Sequence, residues 1–246
     1  MAKREQRITE ERLRAYARRR VHPRLWAVDD TREAMRLIPE QLQEFLRRDF
    51  AKRMQDDVTL VVFTEELESR ECEETRKIVE EVAGLSDRVK VQVLDFAKDS
   101  GKAEALRVDK IPAVVLQGKR SYGVRFFGLP YGYELHSLTE AIVDVSRGGT
   151  GLSESTKEKL RTIERPMHIQ VFVTLNCPRC PEVVRLAHQF AVENPWISAD
   201  MVETSAFPFL TLRYEVRSVP KVVVNERSLF EGLATQEEFL KRILSA

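Results

Sequence analysis

Two cysteines separated by two residues, Cys177-Pro178-Arg179-Cys180, are the part of this sequence best equipped for chemistry. They follow an apolar run, His168 to Leu175, and precede a segment with helical spacing, Pro181 to Val192. A strand, a short loop with two thiols and a helix form the layout of a redox dithiol. The physical reason lies at the helix start. Unpaired backbone N–H groups and the positive end of the helix dipole favour a thiolate at Cys177. Such surroundings bring a thiol pKa of ~8.5 toward or below neutrality. Arg179 adds positive charge beside both sulfurs. Cys180, one turn on, is placed to attack a mixed disulfide formed at Cys177.

Zinc is the competing chemistry for a CxxC pair. A closed zinc site needs four ligands. The third cysteine, Cys72, is remote in sequence, there is no second CxxC, and His168 and His188 have no familiar spacing to the pair. Inert core thiols are the other alternative. Asn176 and the flanking prolines instead mark a loop tip. The sequence is therefore read as metal-free and without a cofactor.

The elements that must position the pair are legible from periodicity. Pro39 opens a helix with Leu42, Phe45, Leu46, Phe50 and Met54 on one face. Strands are expected at Val58–Phe63, Val89–Phe96, Ala113–Gln117 and Tyr122–Phe127, where β-branched and aromatic residues concentrate. Helices are expected at Cys72–Val82, Lys102–Leu106 and His136–Ser146. Gly148-Gly149-Thr150-Gly151 reads as a linker. Beyond it the pattern returns: helix Ser153–Ile163, strand His168–Leu175, the dithiol helix and strand Ala199–Glu203. Helix Pro208–Tyr214, strands Lys221–Val224 and Ser228–Phe230, and helix Glu237–Leu244 complete it. The Arg-rich first 36 residues include a segment, Thr9 to Arg20, with helical spacing and a thin apolar stripe. The run Arg18-Arg19-Arg20 is read as a solvated face or a mobile arm, with contact to an anionic surface or nucleic acid as the alternative.

Composition restricts the function classes. Of 246 residues, 43% are hydrophobic and 32% charged, with a formal net charge of +1, so no polyanionic partner is implied by charge. Three cysteines are too few for a secreted disulfide scaffold. No apolar run approaches the ~20 residues of a membrane span, and no secretory signal is recognised. A cytoplasmic location is expected. Dense Glu, Lys and Arg with few Asn agree with a thermophile.

The two halves repeat with a constant offset. Ser69 and Cys177, Cys72 and Cys180, Asp95 and Glu203, and Ile111-Pro112 and Val219-Pro220 are each 108 positions apart. Phe126-Phe127-Gly128 and Phe230-Glu231-Gly232 match at 104, after a shorter hairpin. Landmarks of different kinds in one register indicate a duplicated unit.

A dithiol after the first strand and an Ile/Val-Pro before the third resemble the thioredoxin fold. The tandem order is similar to the glutaredoxin-like protein disulfide oxidoreductases of archaea and thermophilic bacteria. The phrases carrying the match are Val124-Arg125-Phe126-Phe127-Gly128-Leu129-Pro130 and Ile142-Val143-Asp144-Val145-Ser146. In the second half they are Val171-Phe172-Val173-Thr174, Cys177-Pro178-Arg179-Cys180-Pro181 and Val219-Pro220-Lys221. The likeness runs from about residue 37 to the end.

The resemblance implies an α/β fold: tandem thioredoxin-like units, each a central four-stranded mixed sheet flanked by helices. Residues 1–36 form an extension, 37–147 a unit without a dithiol, and 148–246 a unit with the CPRC site. It further implies that Pro220 is cis and faces Cys177, and that Val219 pairs with an extended substrate beside Pro178 and Arg179. In the first unit Ser69-Arg70-Glu71-Cys72 stands where the family keeps a second CxxC. Serine cannot serve as a redox sulfur, so one redox centre is expected. Cys72 is then a shielded thiol, and Ile111-Pro112 a peptide platform. The position of the buried acid that thioredoxins carry in the first strand is Val171 here, so the proton carrier is unassigned. The implied activity is thiol–disulfide exchange on protein disulfides, with a thioredoxin reductase-like flavoprotein as electron donor. Neither nucleic acid nor membrane is an expected partner. A peptide-binding or chaperone-like scaffold with a vestigial dithiol is the alternative, and a glutathione-dependent iron–sulfur carrier is the third reading.

Overall fold

A computed structural model describes residues 37–245, except residues 66 and 68. The expected helix from Thr9 to Arg20 and its arginine run lie outside the described residues. The first unit runs α1 (Glu40–Arg53), β1 (Val58–Thr64), α2 (Arg70–Ala83), β2 (Val89–Asp95), α3 (Ser100–Ala105), β3 (Ala113–Gln117), β4 (Ser121–Phe127) and α4 (Glu134–Arg147). The second runs α5 (Glu154–Arg161), β5 (Met167–Val173), α6 (Cys180–Glu193), β6 (Ile197–Glu203), α7 (Pro208–Arg213), β7 (Lys221–Val224), β8 (Arg227–Glu231) and α8 (Gln236–Leu244). Every expected element in the described residues is present, most with ends shifted by one or two residues.

Local chemistry explains the ends. Ser69 accepts a hydrogen bond from the Cys72 N–H at 3.3 Å and caps α2. Ser153 caps α5 through Thr156 N. Thr235 and Glu238 close a reciprocal capping box on α8. Gly148 ends α4 in the left-handed region, φ 64°, where glycine carries no side-chain clash. The glycine-rich stretch behaves as a tight turn rather than a loose tether. Thr150 donates its N–H to Glu193 Oε1 at 2.7 Å, fastening the turn to α6.

All the described strands join one eight-stranded mixed sheet, in the order β2-β1-β3-β4-β6-β5-β7-β8. Each unit supplies four neighbouring strands, and the parallel pair β4–β6 joins them, with Val124 opposite Ala199 and Phe127 opposite Val202. The junction changes what a strand must tolerate. β2, at the sheet edge, is buried only at Val89 and Leu94. Its repeat counterpart β6 is buried at all seven positions because β4 covers its outer edge.

Among the described residues, the six longer helices pack on one face over a large apolar core that includes Phe50, Phe126, Phe190 and Phe239. The shorter α3 and α7 cover a smaller core on the other face, around Phe63, Phe127, Phe172 and Val202. α4 is buried from Glu134 to Ser146. Glu140 on this helix draws its partners from both units. Arg53 of α1 and Arg185 of α6 reach Glu140 at 2.5 and 2.8 Å. Burial alone would raise the Glu140 pKa, but the two guanidiniums outweigh it and hold it at about 2. Among the described residues, no helix is long and apolar enough to cross a membrane.

Candidate functional site: the dithiol loop of the second unit

Cys177 and Cys180 are joined by a disulfide, with Cα atoms 5.5 Å apart. β5 ends at Val173, and the Cys177 N–H donates to Thr174 O at 3.1 Å, tightening the turn that lifts this residue out of the sheet. Cys177 is half-buried, whereas Cys180, the first residue of α6, is fully buried. The Cys180 N–H donates to Cys177 Sγ at 3.1 Å. In the first unit Ser69 Oγ holds the corresponding N–H of Cys72. Serine therefore keeps the helix cap of that site and loses its redox chemistry. Cys72 is buried and unbonded to another sulfur.

Val219-Pro220 is cis, as expected, and Ile111-Pro112 is cis as well. Their settings repeat. Pro112 O accepts from Gly128 N at 2.9 Å and Pro220 O from Gly232 N at 2.8 Å. In the second unit Cys177 Sγ lies 4.0 Å from Val219 O, so the sulfur and the backbone before Pro220 face one another. Pro178 and Arg179 are exposed beside them. The first unit repeats the same element order around Ile111-Pro112, with Ser69 in place of a second sulfur. Asp95 and Glu203 also match in role, since each carboxylate binds the backbone N–H groups of the turn that follows its strand.

Glu134 is the side chain that sequence reasoning missed. The first unit presses residues 131–134 against the dithiol turn. Tyr133 N–H donates to Leu175 O at 3.2 Å, and a Cβ on Gly132, φ 63°, would stand 2.4 Å from that oxygen. Glu134 follows directly and is completely buried. Its Oε2 accepts from Ser137 Oγ at 2.6 Å, while Oε1 has no partner among the described residues. Burial raises its pKa to about 8, the hydrogen bond from Ser137 opposing only weakly. A carboxyl neutral near pH 7 thus stands beside the turn carrying the reactive loop. A glutamate in the first turn of a helix ordinarily reads as a solvated partner of the helix dipole, and the sequence holds no sign of its burial.

Glu134 sets a measurable pH dependence. Its folded pKa of about 8 lies above the ordinary 4.5, so its contribution to stability is complete below pH 4.5 and is lost as pH rises through about 8. Between pH 6.5 and 8 the slope is roughly 1.4 kcal/mol per unit for one such group. Asp144, raised to about 7 by burial, adds to the lower part of this window. His188, held at about 4 by burial, titrates below it. Urea unfolding at pH 6.5, 7.25 and 8 shows declining stability. Glu134→Gln removes most of the decline above pH 7. An unchanged slope in that variant disproves the neutral carboxyl.

Among the described residues, no group of three His, Cys, Asp or Glu side chains is arranged to hold a metal ion. A thioredoxin-domain family profile matches residues 167–245, the second unit from β5 to its last helix. The crystal structure of a protein disulfide oxidoreductase from Aeropyrum pernix K1 superposes with a TM-score of 0.77 at 31% identity, covering 82% of this chain and 90% of that one. The chain belongs to the thioredoxin-fold protein disulfide oxidoreductases. The family likeness extends to the N-terminal domain of the alkylhydroperoxide reductase AhpF of Enterococcus faecalis V583, with a TM-score of 0.78, 28% identity, and 83% and 98% of the two chains covered. In sequence, the chain is 28% identical over 166 residues to an NADH dehydrogenase of Bacillus subtilis strain 168, spanning 68% of this chain and 30% of that protein. It is 31% identical over 124 residues to an alkyl hydroperoxide reductase component of Staphylococcus epidermidis, covering 49% and 24%. The chain spans about a quarter to a third of the length of these curated relatives. The centre common to family and structure is the redox dithiol, and thiol–disulfide oxidoreduction is the chemistry it supports.

Proposed function

We propose that the chain exchanges electrons with disulfides of other proteins through Cys177 and Cys180. The observation that carries this reading is the half-exposed Cys177 sulfur facing Val219 O, with the second sulfur buried behind it. In the reduced enzyme the Cys177 thiolate attacks a substrate disulfide. One substrate sulfur forms the mixed disulfide, and the other leaves as a thiolate and takes a proton. Cys180, losing its own proton, then attacks Cys177 Sγ. The enzyme disulfide forms, and the second substrate sulfur leaves and is protonated. Two electrons pass to the substrate. Val219 offers backbone pairing to the strand bearing the substrate cysteine, beside Pro178. Arg179 favours the Cys177 thiolate. Val171 supplies no acid and Glu134 already holds its proton near neutral pH, so the Cys180 proton passes to water.

Two further features support a macromolecular substrate. Phe209 and Leu212 of α7 are exposed large hydrophobics, where the repeat counterparts in α3 are Gly101 and Glu104. The apolar surface accompanies the unit that kept its dithiol. A flavoprotein is the proposed electron donor, in keeping with the NADH dehydrogenase and hydroperoxide reductase names of the longer relatives. We assign residues 37–147 to a unit that buttresses the dithiol turn through Tyr133 and Leu175, and 148–246 to the redox unit. Ser69, Cys72, Ile111 and Pro112 retain the form of a site with no exchange chemistry.

Alkylation of the reduced chain at pH 7 separates this from a scaffold role. Rapid modification confined to Cys177 supports the enzyme. A rate no faster than that of an ordinary exposed thiol turns the reading to a binding scaffold.

A further inference from the structure

A second site lies away from the dithiol, on the sheet face covered by α3 and α7. There the end of α3 and its following turn lean over the start of β5 and β6 and leave a cleft of about 740 Å³. That volume suits a small molecule. His168, at the start of β5, is separated from Val173, where the strand ends below the dithiol turn, by ~16 Å of extended chain.

Arg125 of β4 and His168 and Asp200 of the second unit line this cleft. Arg125 and Asp200 are only 4% and 1% exposed. Arg125 Nε donates to Asp200 Oδ1 at 2.7 Å, and Nη1 donates to Arg107 O at 2.6 Å. Nη2 stands 3.1 Å from His168 Nε2, and the same Nε2 stands 2.6 Å from Asp200 Oδ2. One imidazole nitrogen presents either a proton or a lone pair in its plane. The carboxylate at 2.6 Å requires the proton, so Nε2 donates to Asp200. It then offers Arg125 Nη2 no acceptor, and no other acceptor for Nη2 exists among the described residues. A buried guanidinium corner with an unserved N–H on a cavity wall calls for an external anion.

The surroundings define that anion. Ser198 is opposite His168 in the β5–β6 register, and its hydroxyl has no partner among the described residues. Asp109, also on the wall, is neutralised by Lys110 at 2.7 Å. Asp200 is neutralised by Arg125. Glu104 and Arg107 remain on the rim with opposite charge. A polyanion would meet Glu104, whereas a single oxyanion head can draw on both Arg125 and Ser198, which line the same cleft. We infer that the junction cleft binds a small molecule with a single carboxylate or phosphate group, held by Arg125 Nη2 and Ser198 Oγ. The site is separate from the dithiol and independent of its proposed substrate.

The test uses the full chain and two probes, acetate and inorganic phosphate, at ionic strength held constant with chloride. The readout is the His168 ring resonance, assigned with His168→Gln. A saturating shift with acetate alone identifies a carboxylate site, with phosphate alone a phosphate site, and with both a general oxyanion site. Ser198→Ala raises the midpoint at least fivefold and leaves insulin reduction unchanged. Arg125→Lys keeps the charge but loses the fork and the saturation. Because that buried change risks the fold, Ser198→Ala carries the decision. Shifts that stay linear for both probes, or a midpoint unmoved in Ser198→Ala, overturn the site.

Discussion

Cys177→Ser abolishes dithiol-driven reduction of insulin, and Cys180→Ser accumulates mixed disulfides instead of turning over. The two results differ because the two sulfurs occupy different environments. Cys177 is half-buried with Sγ facing Val219 O, where an extended substrate can be aligned. Cys180 is fully buried, so it reaches only a disulfide already formed at Cys177. A serine oxygen at 177 still caps the helix, as Ser69 does in the first unit at 3.3 Å. Loss of activity in that variant is therefore loss of a nucleophile and not of the fold. The measurement is insulin turnover, with thermal unfolding as the control and non-reducing electrophoresis for the trapped species. Full turnover by Cys177→Ser refutes the nucleophile. A Cys180→Ser variant that turns over at the wild-type rate removes the resolving role.

Arg125→Ala produces the largest loss of stability, about 3–5 kcal/mol, because Asp200 is left buried without its cation. For a chain of this size that corresponds to a melting temperature lower by roughly 10 °C. Burial pushes the Asp200 carboxyl up, but Arg125 and His168 outweigh it and hold the pKa at about 2. The pair sits on the strands that join the units, with Arg125 and Asp200 as register partners. The double change Arg125→Met with Asp200→Leu recovers most of the loss, since an apolar pair carries no desolvation cost. Chemical unfolding of the wild type and both variants, at one pH, measures this. A loss below about 1 kcal/mol in Arg125→Ala, the scale of an exposed pair, shows that His168 suffices for Asp200.

The duplicated architecture is legible in the chain because each unit makes its own local choices. Caps at Ser69 and Ser153, β-branched strands and prolines 112 and 220 act within a few residues, and the prolines recur at the repeat offset. The junction is not legible. The segment Ile197-Ser198-Ala199-Asp200 holds polar residues that read as solvent-facing, and the residue pattern starts the strand only at Ala199. Its polar residues are buried because β4 arrives from the other unit with Arg125 in register. The pattern likewise starts α4 at His136, two residues late, which hides Glu134.

Residue identity and spacing were enough for the dithiol, the missing sulfur at Ser69, the repeat and the prolines. These are covalent identities and short-range conformational preferences, which a linear chain carries without its fold. Three properties needed the folded molecule: that eight strands share one sheet, that Glu134 is a neutral acid beside the redox turn, and that Arg125 meets Asp200 and His168. Those properties depend on which surfaces exclude water, and that is settled by residues far apart in the chain.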